Sequence, residues 1–176
     1  MSTRKIAFAA VIAAVYAALT MINPLGYGPV QFRFSEILCI LPLFFPFSVW
    51  GLFVGCIIAN LISAYGTPDI VFGSLATLIA AVCTMYIGRL GKGSVVSKLL
   101  ACLPPVIFNA LIVGAVITYA MVNAPGTGLT FWPTYTINAI EVGVSEAVTL
   151  FILGLPLSII LPKTGVFRSL QAIYEH

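Results

Sequence analysis

YTINAIEVGVSEAVTLFILGLPLSIIL, running from Tyr135 to Leu161, is long and apolar enough to cross a bilayer, yet it carries two carboxylates, Glu141 and Glu146. A hydrocarbon core about 30 Å thick takes roughly 20 helical residues, and a charged side chain at its centre costs about 2.5 to 3.5 kcal/mol on insertion scales. The surrounding Leu, Ile, Val and Phe residues each return roughly 0.3 to 0.6 kcal/mol, so the segment still inserts. Acids in such a helix face a bundle interior, a cavity or a ligand. No Lys or Arg lies in the same span to neutralise them.

The rest of the chain has the same character. Of its 176 residues, 61% are hydrophobic and 7% charged, and the mean hydropathy is +1.13. Soluble domains carry about 25% charged residues, so the chain reads as an integral membrane protein in which spans use nearly the whole length. Residues 1–176 are expected to form a single domain, with no room for a soluble catalytic body. Cys39, Cys56, Cys83 and Cys102 all lie in apolar runs without metal-ligand spacing, which predicts neither a disulfide nor a metal site.

The first apolar run, Ile6 to Ile22 behind Arg4 and Lys5, has the look of a secretory signal, but more membrane-type sequence follows it, and it reads as a first transmembrane helix. Hydrophobic runs place six spans at 4–22, 36–48, 49–65, 70–89, 100–122 and 135–161. Pro42 and Pro46 interrupt the second, so the second and third are expected to form a bent hairpin. With the N-terminus inside, Arg4, Lys5, Arg89, Lys92, Lys98, Lys163 and Arg168 fall on the cytoplasmic side, leaving Arg33 outside. The expected fold is therefore an all-α bundle of six transmembrane helices in the cell membrane, with both termini cytoplasmic. The same bias accounts for the net charge of +3, and no basic stripe with interleaved aromatics suggests nucleic acid.

Orientation converts position into depth. Gln31, Arg33, Glu36, Asn60, Asp69, Asn138 and Glu141 then gather in the outer half of the membrane. At about 100° per residue, Glu141 shares a helix face with Asn138, whereas Glu146 points about 140° away. Local explanations exist for some of these residues. Ser35 and Arg33 could cap and neutralise Glu36 at a helix start, and Asp69 after Pro68 suits the first turn of the next helix. Asn109 falls towards the cytoplasmic half and is set aside. Glu141 resists a local explanation and is the preferred ligand contact, with Glu146 second. Phe32 and Trp132, among the aromatics at the outer loops, could cover a flat heterocycle, although aromatic belts mark every membrane interface.

Ala9, Ala13 and Ala17 recur every four residues on the first helix, with Ala10, Ala14 and Ala18 beside them. Such a stripe lets another helix approach closely, whether in this chain or in another subunit. The chain has no nucleotide-binding loop and cannot power uptake by itself. Its only His is His176, and no constellation of nucleophile and base stands out, so an enzyme is not expected.

The run Tyr27-Gly28-Pro29-Val30-Gln31-Phe32-Arg33-Phe34-Ser35-Glu36, the segment from Pro104 to Gly114 (PPVIFNALIVG) and the acid-bearing last span together resemble the QueT family. The resemblance covers essentially the full chain. It implies a substrate-binding S component of an energy-coupling factor (ECF) transporter, associated with queuosine precursors such as 7-aminomethyl-7-deazaguanine. It also implies that Ala9, Ala13 and Ala17 dock on a transmembrane coupling subunit driven by two ATPases, with no cofactor in the S component. Gln31, Phe32, Arg33, Glu36, Asn60, Trp132, Asn138, Glu141 and Glu146 are then the candidate substrate contacts. A thiamin-type cation would also accept acids and aromatics, and a proton-coupled carrier could use the two acids of the last span as a relay.

Overall fold

The structure is a computed structural model that describes residues 3–28, 31–91 and 93–175; Pro29, Val30, Lys92 and His176, which enter the sequence argument, lie outside the described residues. Those residues contain helices and no strand. Four of the helices are long and apolar enough to cross a membrane: α1 (Thr3–Ile22), α4 (Asp69–Gly91), α5 (Val95–Val122) and α6 (Phe131–Lys163). Two apolar helices are shorter, α2 (Phe34–Leu43) and α3 (Ser48–Asn60). An amphipathic helix, α7 (Gly165–Glu175), follows α6.

The departures from ideal helix have sequence causes. α2 is wound as a 3-10 helix and contains Pro42, which supplies no backbone donor and disfavours a regular α-helical ladder. Phe44 to Phe47 then turn the chain directly into α3, where the Phe45 N–H donates to Leu41 O and the Ser48 N–H to Phe45 O. This is the close hairpin expected from Pro42 and Pro46. α3 stops at Asn60, several residues before the predicted boundary, because the chain turns there and reaches Gly66 at φ 66°. α5 bends where Pro104 and Pro105 follow Cys102, and then widens into a π turn at Asn109–Val113. A second π turn, Thr149–Gly154, lies in α6 just ahead of Pro156.

α1 and α3 lie against each other almost backbone to backbone. A Cβ added to Gly51 would sit 2.6 Å from Ala9 O, and one on Gly55 would sit 2.8 Å from Ala13 O. The alanine stripe thus meets a glycine stripe of its own chain, and Ala9, Ala13 and Ala17 are buried. The inner face of the stripe therefore packs against α3 inside the bundle, while Ala9, Ala10 and Ala13 also line an apolar groove between the two helices. Tyr16, on the same side of α1, is completely buried among Ile12, Cys39, Val49, Leu52 and Cys56. A second core joins α2 to α5 and α6 through Ile40, Leu43, Ala101, Cys102 and Leu150. A third joins α4, α5 and α6 through Ala76, Val113, Ile117 and Val142. Large apolar side chains such as Trp50, Ile107, Ile140 and Ile152 point outwards, as they do where lipid replaces water. The four cysteines are free.

Candidate functional site

The polar interior of the bundle is built on Glu36, in the first turn of α2, and Glu146, near the middle of α6. Both are almost fully buried, at 2% and 3% exposure, and both line one small void. Each acid is also held by donors from other elements. The Tyr16 hydroxyl of α1 donates to Glu36 Oε1, and Cys39 Sγ donates to Glu36 Oε2 at 2.9 Å. Asn109 Nδ2, from the π turn of α5, donates to Glu146 Oε1 at 2.6 Å. Four helices therefore meet at two carboxyl groups, an arrangement that apolar packing alone would not favour.

Arg33 brings a positive charge to this interior, but its partner is Asp69 and not Glu36. Arg33 Nη2 lies 3.5 Å from Asp69 Oδ2, with the two side chains 5% and 0% exposed. Arg33 Nε donates to Gly26 O at 3.0 Å, closing the segment between α1 and α2 on itself. Asp69 accepts a further bond from Ser63 Oγ at 2.5 Å, and its backbone carbonyl accepts from Asn60 Nδ2 at 2.9 Å. Asp69 thus stands in the first turn of α4 as expected and also pairs with Arg33, which is distant in sequence. Tyr27 ties the same segment to α3, its hydroxyl donating to Ala59 O at 2.9 Å. Burial pushes the Tyr27 phenol above its ordinary pKa, the Arg33 charge working against that and Asp69 adding to it, so it stays a donor at neutral pH.

A small void of about 10 Å³ is lined by Gln31, Arg33, Glu36, Asn109, Val113, Val142 and Glu146. That is room for about one water. On its lining, Gln31 Nε2 and Arg33 Nη2 are buried with no hydrogen-bond partner among the described residues, and the same holds for Asn60 Oδ1 and Asp69 Oδ1 beyond Arg33. Buried orphans are uncommon in folded proteins and each calls for a reason. Gln31 also adopts φ 45°, alone among the described non-glycine residues. A left-handed backbone at a residue other than Gly is strained by roughly 1 to 2 kcal/mol, and here the strained residue lines the void.

Of the residues singled out from sequence, Gln31, Arg33, Glu36 and Glu146 meet at this void, and Asn60 joins them through Asp69. The others lie elsewhere. Asn138 Nδ2 donates to Thr118 Oγ1 at 2.9 Å, a bond between α6 and α5. Glu141 is half-buried on another face of α6, with no hydrogen bond or ion pair among the described residues, and it does not line the void. Trp132 is 74% exposed at the start of α6. Phe32 packs edge-on against Phe34 at 5.2 Å. The sequence reading passed over Asn109, Tyr16 and Cys39, and read Asp69 as a cap. An amide in the middle of an apolar run was the available signal for Asn109, and Tyr16 lay on the face already marked by Ala9, Ala13 and Ala17.

Several bilayer-length helices around a buried, oxygen-rich centre define a multi-pass membrane protein with an interior suited to a polar solute. The family model of the QueT transporter matches residues 6–163, and the chain belongs to that family. It is a multi-pass protein of the cell membrane. A curated relative, the queuosine precursor transporter QueT of Lactococcus lactis subsp. cremoris (strain MG1363), is 36% identical over 80 residues. The matched stretch is 44% of this chain and 47% of that protein, so the chain spans about half the length of the relative it matches. No solved structure matches.

Proposed function

We propose that this chain is the substrate-binding S component of an ECF-type importer and that it takes a queuosine precursor, 7-aminomethyl-7-deazaguanine or a close relative, from outside the cell. The observation that carries this reading is that Glu36 and Glu146, both buried, line one void with Gln31 and Arg33, whose Nε2 and Nη2 have no hydrogen-bond partner among the described residues. The ligand's aminomethyl group is a cation and suits the two acids. Its guanine-like edge offers N1–H and 2-amino donors for Asn60 Oδ1 and Asp69 Oδ1, and a carbonyl for Gln31 Nε2 and Arg33 Nη2. Base recognition by edge hydrogen bonds in a closed pocket follows the same logic elsewhere. A heterocycle is far larger than the 10 Å³ void, so entry requires the segment carrying Gln31 and Arg33 to part from α5 and α6.

In this reading α2 and α3 complete six passes, both termini are cytoplasmic, and the site opens outwards. The coupling subunit, carrying two ATPases, docks on α1 and α3, where Ile6, Ala9, Ala10, Ala13, Phe47, Trp50 and Val54 line an apolar groove of about 490 Å³. Close helix approach along small residues and dispersion packing would supply the association energy.

Titration of the purified chain in nanodiscs with 7-aminomethyl-7-deazaguanine should show saturable heat, and thiamin should show none. Reconstituted into liposomes, the chain should take up the ligand only with the coupling subunit, the ATPases and ATP. Absence of ligand binding sinks the substrate; uptake driven by a proton gradient alone sinks the S-component assignment.

A further inference from the structure

We propose that the groove between α1, α2 and α7 is a binding site for one phospholipid with an anionic headgroup, separate from the polar centre at Glu36 and Glu146. The groove has a volume of about 400 Å³. Along α1 it is lined by Arg4, Ala7 and Val11, which follow one another at spacings of three and four and so share one helix face. All three are exposed. Ile12, Leu41 of α2 and Leu170 of α7 complete the apolar lining.

Two independent features set the depth of this groove in the membrane. The first is α7, which is amphipathic. Phe167 anchors it to the bend between α2 and α3, with its ring centroid 5.5 Å from that of Phe44 and 5.3 Å from that of Phe45, while Arg168 and Ser169 are exposed. A helix with one apolar and one polar face lies in the headgroup plane of a bilayer. The second is α1 itself, in which Arg4 stands in the first turn and no charged residue follows from Ile6 to Ile22. Arg4 thus sits at headgroup level, and the groove runs from it into the hydrocarbon.

Length and charge together select the occupant. From Arg4 to Ile12 the helix rises about 12 Å, close to the roughly 15 Å that one leaflet contributes to the hydrocarbon core. The occupant is therefore anionic at one end and apolar over the depth of a leaflet. Arg4 makes no hydrogen bond or ion pair among the described residues, and a guanidinium fork matches the oxygens of a phosphate. Arg4, Lys5, Lys163 and Arg168 give this end of the chain a positive excess over Glu175, which an anionic leaflet attracts. Ala7 places only a methyl between Arg4 and Val11, leaving space for an acyl chain along the helix. A free phosphate would satisfy Arg4 but leave the apolar length uncovered, and a partner helix would need an acid set above an apolar face at this one depth.

Native mass spectrometry of the full chain, titrated in detergent with phosphatidylglycerol or with phosphatidylcholine of the same acyl chains, counts the lipid that stays bound. The expected result is about one phosphatidylglycerol per chain, held at least about tenfold more tightly than phosphatidylcholine. Arg4→Gln should remove most of that preference, and Ala7→Trp, which fills the groove, should weaken retention of both lipids by at least about tenfold. Both substitutions fall on exposed positions, so melting temperatures in lipid-free detergent should match the parent. Arg168→Gln removes a charge that does not line the groove and should leave retention within about twofold. Equal retention of the two lipids, unchanged retention in Ala7→Trp, or equal losses from Arg4→Gln and Arg168→Gln overturns the site in favour of diffuse surface charge. Stabilisation by glycerol phosphate to the same extent as by phosphatidylglycerol assigns Arg4 to a free anion and overturns the lipid. A dimer in lipid-free detergent that Ala7→Trp dissociates gives the groove to a second copy of the chain and overturns it as well.

Discussion

Asn109 on α5 and Glu146 on α6 are joined by a 2.6 Å hydrogen bond, with both side chains buried. Each residue sits near the middle of its helix, between Val95 and Val122 for one and Phe131 and Lys163 for the other. The polar centre is thus deep in the bundle, as far from water as these helices allow. Replacing Asn109 with Ala removes a donor from a buried carboxyl, and leaving such a group short of a partner costs about 1 to 3 kcal/mol. Thermal unfolding in detergent should show the loss, and ligand affinity should fall with it. An Asn109→Ala protein as stable as the parent would show that the bond is not holding Glu146.

Glu146 and Glu141 should respond differently to the same chemical change. Glu146 lines the void beside Glu36 and accepts from Asn109, whereas Glu141 lies on another face of α6 with no partner among the described residues. Glu146→Gln should weaken ligand binding by at least about tenfold, the equivalent of about 1.4 kcal/mol. Glu141→Gln should leave it within about twofold. Calorimetry on the two variants decides between them, and the reverse order would move the site to the Asn138 face.

The contrast between those two acids also shows what a sequence of this kind discloses. The long apolar runs placed α1, α4, α5 and α6 to within a few residues, because a bilayer admits little besides helices of that length. Helix periodicity separated Glu141 from Glu146, but it could not say which face turned inwards. The answer depends on the Asn109 amide and the Glu36 carboxyl arriving from other helices. Depth was misjudged for Asn109 because the run was taken to start near residue 100. α5 in fact starts at Val95, which puts Asn109 at mid-helix. Neutralisation of Glu36 by Arg33 was one local explanation the spacing allowed, but a 3-10 helix begins between them and the ion pair of Arg33 is with Asp69.

The Arg33–Asp69 pair should behave as a buried ion pair does. Arg33→Met or Asp69→Leu alone leaves an uncompensated charge in a site at most 5% exposed, and such single changes cost about 3 to 5 kcal/mol. The double variant should recover much of that loss, since apolar replacements of buried pairs are often close to neutral. A double-mutant cycle on unfolding free energy measures the coupling. Additive losses would show that the two charges do not depend on each other.

The α1–α3 contact leaves no room for a side chain on α3. A Cβ at Gly51 would meet Ala9 O at 2.6 Å and one at Gly55 would meet Ala13 O at 2.8 Å, so the two helices would have to move apart. Gly55→Leu should destabilise the protein by about 1 to 3 kcal/mol, the usual cost of overpacking. Gly165→Ala, in open space without positive φ, should be nearly silent. Melting temperatures of the two variants test this, and equal effects would mean that the helices part freely.

The last prediction separates binding from power. Ala13 is 5% exposed and backs onto Gly55, so a bulky group there would disturb the fold and say little about docking. Ala10 also lines the apolar groove between α1 and α3 but faces outwards. Ala10→Trp should therefore fill the groove from the lipid side while leaving the polar centre at Glu36 and Glu146 intact. If the coupling subunit packs into that groove, the bulky ring removes the close approach on which helix association in lipid depends. Ligand affinity of the isolated chain should stay within about twofold of the parent. Copurification with the coupling subunit and ATPases should be lost, and ATP-driven uptake with it. Full assembly of Ala10→Trp would clear this groove of a docking role and direct the search to another face of the bundle.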